Sequence, residues 1–298
     1  MYNYYTFDWN GHTIHVIKGQ ADSTHDVQIS LMSDQFDRKI ASQFHDSALE
    51  SSGWSLIGVI NGGIFNDQYA PTIYANGLEK SYWTEHEMYD DYGLDAVMAI
   101  GHYGDANIPI IDTQAAIRAL NTSLRGAVTG AFGLLKNGVQ NYGNIAQGSF
   151  SSLSGRSIIG RDSNNVIYFI STPGVTGSSG ITGSQAKDLA LYLGLYDAVC
   201  LDGGGSVSLI YQGSWKVSTT REIKNAFGLY VKQKDTGTSG GGETTPVISR
   251  KRNNFIPFFD KPVKWMIMNE GELVPVKDIQ IKTPNGMVSI IDDEVKGE

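Results

Sequence analysis

Cysteine is nearly missing from this sequence. Cys200 stands alone among 298 residues, inside the apolar run Ala198-Val199-Cys200-Leu201. One thiol can form neither an intramolecular disulfide nor a thiolate metal cluster, so both are excluded, and Cys200 is expected to be a buried packing residue. An excess of positive charge is missing too: 23 Lys and Arg face 31 Asp and Glu, for a net charge of −8. With no basic stripe, nucleic acid is excluded as the expected partner. No apolar run is long enough to span a bilayer. The opening Met1-Tyr2-Asn3-Tyr4-Tyr5 has neither a basic start nor an apolar h-region, so synthesis in the cytoplasm without a classical signal peptide is expected. The six histidines (His12, His15, His25, His45, His86 and His102) show no metal-binding spacing. Structural or surface roles are expected for them, His102 being the nearest to a site member.

Glycine, by contrast, is abundant at 35 residues, and hydrophobic residues make up 41%. That combination gives a buried core with many tight turns rather than long helices. Residues 232–246 (Lys-Gln-Lys-Asp-Thr-Gly-Thr-Ser-Gly-Gly-Gly-Glu-Thr-Thr-Pro) read as a flexible linker. It separates a main domain, 1–231, from a tail, 247–298. The tail holds eight basic and eight acidic residues, so the net negative charge belongs to what precedes it. Strand-like runs at 264–268 and 278–282, with a hairpin signal at Asn285-Gly286, mark the tail as a small β-rich module. A module this small is expected to dock or to oligomerise.

The main domain reads as strands with a few helices. Strand patterns fall at 54–60, 127–135, 157–159, 166–171, 197–201, 207–211 and 226–231. Ala186, Leu189, Ala190 and Leu193 predict a helix over 184–193, with Ser184 or Thr182 at its start and Gly194 at its end. Weaker helical patterns cover 34–47 and 113–124. The expected fold is α+β: a mixed, largely antiparallel sheet with glycine-rich loops at the strand ends.

Four motifs carry chemistry. Asp202-Gly203-Gly204-Gly205-Ser206 lies between two strands. Its glycines permit close backbone approach and an anion nest, or simply a tight hairpin. Asn61-Gly62-Gly63-Ile64-Phe65-Asn66 follows another strand. Arg156 enters the apolar strand Ser157-Ile158-Ile159, where a guanidinium needs an anion, either a phosphate or a structural carboxylate. Arg221-Glu222-Ile223-Lys224-Asn225 precedes the last strand of the main domain.

Taken in this order, the four motifs resemble the phosphodiester glycosidase family over roughly residues 50–231. The stretch 180–206 matches best. Ile64 stands where that family often has an aromatic residue, and Glu222-Ile223 replaces its usual Pro-Val. The resemblance implies a glycosidase that cuts the C1–O bond of a sugar-1-phosphodiester. It implies site roles for Asn61, Gly62, Gly63, Phe65, Arg156, Asp202, Gly203, Gly204, Ser206, Arg221 and Asn225, with Gly205 in the same loop.

On this reading Asp202 is the carboxylate facing C1, and Arg156 and Arg221 hold the phosphate with help from the amides of 203–206. Asn61 is counted with the catalytic group. Glu79 is a weak second carboxylate, and aromatics at 82–89 could stack on sugar rings. No cofactor is required, although Asp202 and Asn61 could hold a divalent cation such as Ca²⁺. The expected partner is a sugar-phosphate polymer such as a teichoic acid. The linker and β-rich tail suit a bacteriophage virion or tail assembly acting outside the cell. Two rivals remain open: a non-catalytic carbohydrate-binding tail module, and a phosphodiesterase cutting P–O.

Overall fold

The computed structural model describes residues 1–33, 37–65, 130–140 and 150–234 in full. It describes 72–75, 78–79, 97–101, 110–111, 124–129, 266–269, 272–275, 280–283 and 286–289 as strands. In chain order the first strands are β1 (Tyr2–Trp9), β2 (His12–Gly19), β3 (His25–Ser33), β4 (Ser55–Asn61), β5 (Thr72–Ala75), β6 (Leu78–Glu79) and β7 (Val97–Gly101). They are followed by β8 (Ile110–Ile111), β9 (Leu124–Thr129), β10 (Phe132–Lys136), β11 (Val139–Gln140), β12 (Arg156–Asp162), β13 (Ile167–Thr172) and β14 (Leu195–Cys200). The last are β15 (Leu209–Tyr211), β16 (Ser214–Val217), β17 (Asn225–Gln233), β18 (Met266–Asn269), β19 (Glu272–Pro275), β20 (Gln280–Thr283) and β21 (Gly286–Ser289).

Three sheets organise the larger of two compact units, Met1–Thr238. A 7-stranded sheet runs β1-β2-β13-β12-β14-β10-β11, a 5-stranded sheet β16-β15-β4-β17-β3, and another 5-stranded sheet β6-β5-β9-β7-β8. Every pairing among the described strands is antiparallel. The second unit, Ser239–Glu298, contains two hairpins, β18–β19 and β20–β21, the latter turning between Thr283 and Gly286.

The first two sheets pack face to face because their strands are apolar on both sides. Ile17, Ile159, Phe169, Val199 and Leu201 meet Ile29, Leu31, Ile60, Leu209, Phe227 and Leu229 in the central core. The alternate residues Ile158, Ile170, Ala198 and Cys200 face the other way, onto helix α2 (Gly183–Tyr192) through Ala186, Leu189 and Ala190. On the far side of the five-stranded sheet, Met32, Val59, Ala226 and Tyr230 pack against Leu49 of the short helix α1 (Ser47–Ser51), together with Ala41 and Phe44. Cys200 is fully buried, and burial pushes its thiol up to about 11.

Helix α2 begins one residue before the predicted start. Thr182 caps it by accepting from Gln185 N, and the Gln185 side chain reaches back in a capping box. Gly194 closes it at φ +72. Other expectations are corrected. The 127–135 run is two strands, β9 and β10, interrupted at Gly130, where a Cβ would stand 2.3 Å from the Val199 side chain. The helical pattern at 34–47 does not form a continuous helix over its described part, where only Ala41–Gln43 make a 3₁₀ turn and Ser47 opens α1. Lys39 pairs through both its N–H and its C=O with Ile223, which withdraws its backbone from helical bonding. Asp46 instead caps α1. The pattern at 113–124 lies outside the described residues up to 123, and Leu124 opens β9. No helix among the described residues is long and apolar enough to cross a membrane.

Tyr230 ties β17 to the α1 layer: its hydroxyl accepts from Asp46 N at 2.8 Å and donates to Glu50 Oε1 at 3.3 Å. Burial pushes its pKa well above the usual tyrosine value. Tyr230→Phe removes the hydroxyl to which the buried Asp46 N–H donates. It is expected to lower stability by about 1–3 kcal/mol, read as a lower urea midpoint at unchanged slope.

Candidate active site

Topology brings four chemistry-bearing strand ends together. In the seven-stranded sheet, β12 starts at Arg156 beside the end of β14, with Ile158 opposite Cys200. In the five-stranded sheet, β17 starts at Asn225 beside the end of β4, with Ala226 opposite Asn61. The Asp202–Ser206 loop is not a hairpin. It carries the chain from β14 in one sheet to β15 in the other, and residues 204–206 form a single 3₁₀ turn.

Asn61 locks the two sheets at this crossing. It is 1% exposed. Its Nδ2 donates to Asp202 O at 2.8 Å, while its Oδ1 accepts from Ser157 Oγ at 2.5 Å and Ser208 N at 3.1 Å. Asp202 N in turn donates to Gly62 O at 3.0 Å. Both main-chain polar groups of Asp202 are therefore held by the end of β4. Asn61 thus positions Asp202. Its oxygen already accepts two bonds, which leaves no lone pair for a cation. No group of three or more His, Cys, Asp or Glu able to hold a metal occurs among the described residues.

Asn225 is likewise a clamp. Its Oδ1 accepts from Gly63 N at 2.8 Å and its carbonyl from Gly62 N at 3.0 Å. Gly62 is required by space, because a Cβ there would lie 1.7 Å from Asn225 Oδ1. The glycines of the Asp202 loop answer to the same constraint. A Cβ on Gly203 would lie 2.7 Å from Gly155 O, and one on Gly204 2.5 Å from Thr176 Oγ1. Most amides expected to form a nest for phosphate are engaged within the protein. Gly203 N donates to Asp202 Oδ1, Gly204 N to Gly155 O and Ser206 N to Gly203 O. Only Gly205 is open, its nearest neighbour being Arg221 Cδ at 3.6 Å from a built Cβ.

Arg156 and Asp202 do converge. Arg156 Nη1 comes within 3.7 Å of a Cβ built on Gly203, and the charges of Arg156 and Asp202 both act on Cys200. Arg156, however, is 4% exposed. Its Nε donates to Ile181 O and its Nη2 to Ser152 O, and its guanidinium lies over Phe132 at 5.4 Å. Part of the fork expected to grip phosphate thus holds main-chain carbonyls under the loop. Arg221 is the exposed cation, held by its N–H on Thr219 Oγ1, which itself donates to Gly205 O. Phe65 is buried beneath it, 5.5 Å from ring centroid to guanidinium.

Asp202 is half-buried. Burial raises its pKa above the ordinary carboxylate value, while the Ser206 hydroxyl, the Arg221 charge and the Gly203 N–H act in the opposite direction. Ser206 Oγ is buried without a geometrically regular partner among the described residues, close enough to the carboxyl to favour its charged form. Ser208 Oγ and Asn225 Nδ2 are also buried without a partner among the described residues. Sequence reasoning missed Ser157, Ser208 and Thr219. Serine and threonine in a glycine-rich chain give no signal, and their partners are distant in sequence. Glu79 lies in β6 with its side chain outside the described residues, as do the aromatics at 82–89 and His86 and His102.

The spatial constraint is testable with two alanines. Gly62→Ala has to expel Asn225 and is expected to lower stability by about 2 kcal/mol or more, whereas Gly205→Ala is expected to stay within about 0.5 kcal/mol of the parent. Thermal unfolding of both variants measures this. Equal losses would contradict the packing argument.

A model of the phosphodiester glycosidase family matches residues 55–230. Among solved structures, the fold is similar to the zebrafish N-acetylglucosamine-1-phosphodiester α-N-acetylglucosaminidase catalytic domain, described as auto-inhibited by its pro-peptide. The TM-score is 0.57 at 15% identity, over 76% of this chain and 82% of that one. A hypothetical protein from Synechocystis is similar at TM-score 0.52 and 13% identity, over 78% of this chain and 62% of that one. No curated protein matches the chain in a direct comparison. The family match spans more than half of the sequence and every clamp residue described above, and the chain belongs to the phosphodiester glycosidase family.

Proposed function

We propose that this protein hydrolyses the C1–O bond of a sugar-1-phosphodiester within a phosphorylated cell-surface glycopolymer such as a teichoic acid. The observation that carries this reading is Asp202. It is a carboxyl with a raised pKa, fixed through its main chain at the meeting of two sheets and adjoined by an exposed arginine. The linker composition and the β-rich tail support an extracellular or bacteriophage virion setting for the activity.

The chemistry follows from the leaving group. As the C1–O bond breaks, its electron pair passes to a phosphate oxygen, and the departing phosphomonoester is already a stable anion. Little protonation is needed. The demands are a negative group facing the cationic sugar carbon and a positive one facing the phosphate. Asp202 supplies the first in its ionised form and Arg221 the second. Arg156, under the loop, adds positive potential and braces the turn. Water then adds to C1 and releases a proton.

Three measurements test this. Asp202→Asn is expected to lower kcat/KM by about 10²–10⁴-fold, with unchanged or higher thermal stability, because burial disfavours the charge it removes. The essential form is the carboxylate, so activity falls as pH drops through the Asp202 pKa, and that acid limb lies above the ordinary aspartate range. Arg221 favours the carboxylate, so Arg221→Gln is expected to move the limb to higher pH. A limb that stays put or moves down removes Asp202 from the chemistry. In ¹⁸O-labelled water the label is expected on the released sugar; label on phosphate would mean P–O cleavage.

A further inference from the structure

The Asp202 loop runs between two flanks of unlike chemistry, one from each sheet. Gly205 faces the first: a Cβ built there would meet Arg221 Cδ at 3.6 Å and Nη1 at 3.7 Å. Arg221 leads into β17 of the five-stranded sheet and is followed by the exposed Glu222. Gly204 faces the second. A Cβ built there would stand 2.5 Å from Thr176 Oγ1 and 3.5 Å from Ser154 Oγ. Thr176 lies in the 173–179 loop that leaves β13, and Ser154 just precedes β12, its neighbour in the seven-stranded sheet.

Charge separates the two flanks. Residues 150–155 and 173–184 contain no Asp, Glu, Lys, Arg or His. They expose hydroxyl and aliphatic groups instead. Thr176 is exposed, Val175 is 65% exposed and Leu153 37%. Thr176 Oγ1 and the buried Ser154 Oγ share one hydrogen bond of 3.0 Å. One proton serves that bond, so the pair keeps a second hydroxyl proton and further lone pairs. The flank is also fixed in place. Gly177 N donates to Leu153 O at 2.7 Å, Ser178 N and Ser179 N to Val175 O at 2.9 Å, and Val175 N to Ser179 Oγ at 2.9 Å. Gly174 is wedged between Gly155 and Gly180, where a Cβ would lie within 2.7 Å of main-chain atoms of both. A surface loop tied at its base and tip is pre-formed, and a ligand orders it little further.

We propose that Thr176, braced by Ser154, forms with Val175 and Leu153 the sugar-recognition wall of this site, so that the sugar of the substrate lies on the seven-stranded-sheet side of Asp202 and its phosphate on the Arg221 side. This rests on the reading that Asp202 meets C1 and Arg221 the phosphate. It adds a direction across the loop and a substrate class: an uncharged sugar, whose hydroxyls meet Thr176 and whose C–H groups meet the two aliphatic side chains. A carboxylated ring finds no cation in either segment of that wall. Thr176 touches no reacting atom, so it selects which sugar is accepted.

The test is titration calorimetry on the full chain with three uncleavable probes. These are glucose, galactose and mannose, each as both anomers, carrying a methyl phosphonate in which CH₂ replaces the C1 oxygen. Wild type is expected to bind its preferred hexose about tenfold or more tightly than the weakest, since a hydroxyl placed for one epimer is left unpaired by another. Thr176→Val is expected to compress that preference to about threefold or less, and Thr176→Ser to retain it. Arg221→Gln is expected to weaken all three probes by a common factor and to leave the preference intact. A merely structural role for Thr176 would weaken all three together. Circular dichroism melting of both Thr176 variants should stay close to wild type, the residue being exposed. A wild type that fails to bind or to discriminate, a preference unchanged in Thr176→Val, or one lost in Arg221→Gln overturns the wall. The two readings fail separately. If the glycosidase reading fails, the probes still sort by hexose through Thr176 while no sugar-1-phosphodiester is hydrolysed. If the wall fails, hydrolysis proceeds and Thr176→Val leaves hexose selectivity as it was.

Discussion

One buried amide holds the site together. Asn61 ends a strand of one sheet, and its side chain holds the first loop residue of the other through Asp202 O, while Ser157 and Ser208 occupy its oxygen. Buried amides are costly when left unpaired, by about 1–3 kcal/mol for each group. Here every hydrogen bond that satisfies Asn61 also fixes a neighbour. The two sheets could slide over an apolar interface with little directional preference, since hydrophobic burial is not directional. The amide supplies the missing direction. It determines where the end of β14 sits relative to the end of β4, and so where the Asp202 carboxyl can point.

Glycine follows from that joint. Once strand ends from two sheets meet at hydrogen-bonding distance, no room is left for Cβ atoms at Gly62, Gly203 or Gly204. The glycines that look like a phosphate cradle in the sequence are here the condition for backbone-to-backbone packing, and their amides are largely engaged inside the protein. On the proposed reading, binding of an anion falls to side chains at the rim. The arrangement is stiff where position matters and open where substrate arrives. Asn61, Asn225 and Arg156 are buried, whereas Arg221, Gly205 and Arg38 are exposed.

The legible part of this protein is the part governed by local rules. Helix α2 could be read within a residue because apolar spacing, a threonine cap and a terminal glycine agree with one another. The antiparallel strands of the core could be read from apolar runs near their true bounds. What escaped depends on partners far along the chain. The segment at 34–47 carries helical spacing, yet Lys39 pairs with Ile223 some 180 residues later, a competitor that no window can see. Asp202-Gly203-Gly204-Gly205-Ser206 has the composition of a hairpin, and only sheet membership reveals a crossing. Asn61 and Arg156 stand out in the sequence as candidate substrate contacts, and the fold uses both as buried hydrogen-bonding residues. Their residue types fit a ligand and a main-chain carbonyl equally well, and sequence does not say which is nearer.

The division between buried clamp and exposed rim sets which positions tolerate exchange. A core of Val, Ile, Leu and Phe tolerates exchange as long as volume and alternation are kept. The joint does not, because there a single methyl group on Gly62 would stand 1.7 Å from an oxygen. The rim lies between these cases: its exposed side chains can change without disturbing either sheet. Asp202 belongs to both worlds. Its main chain is part of the clamp, and its carboxyl answers to the rim, where the Arg221 charge opposes the effect of burial. On the proposed reading the exposed Arg221 can be exchanged while the buried amide keeps the carboxyl in place.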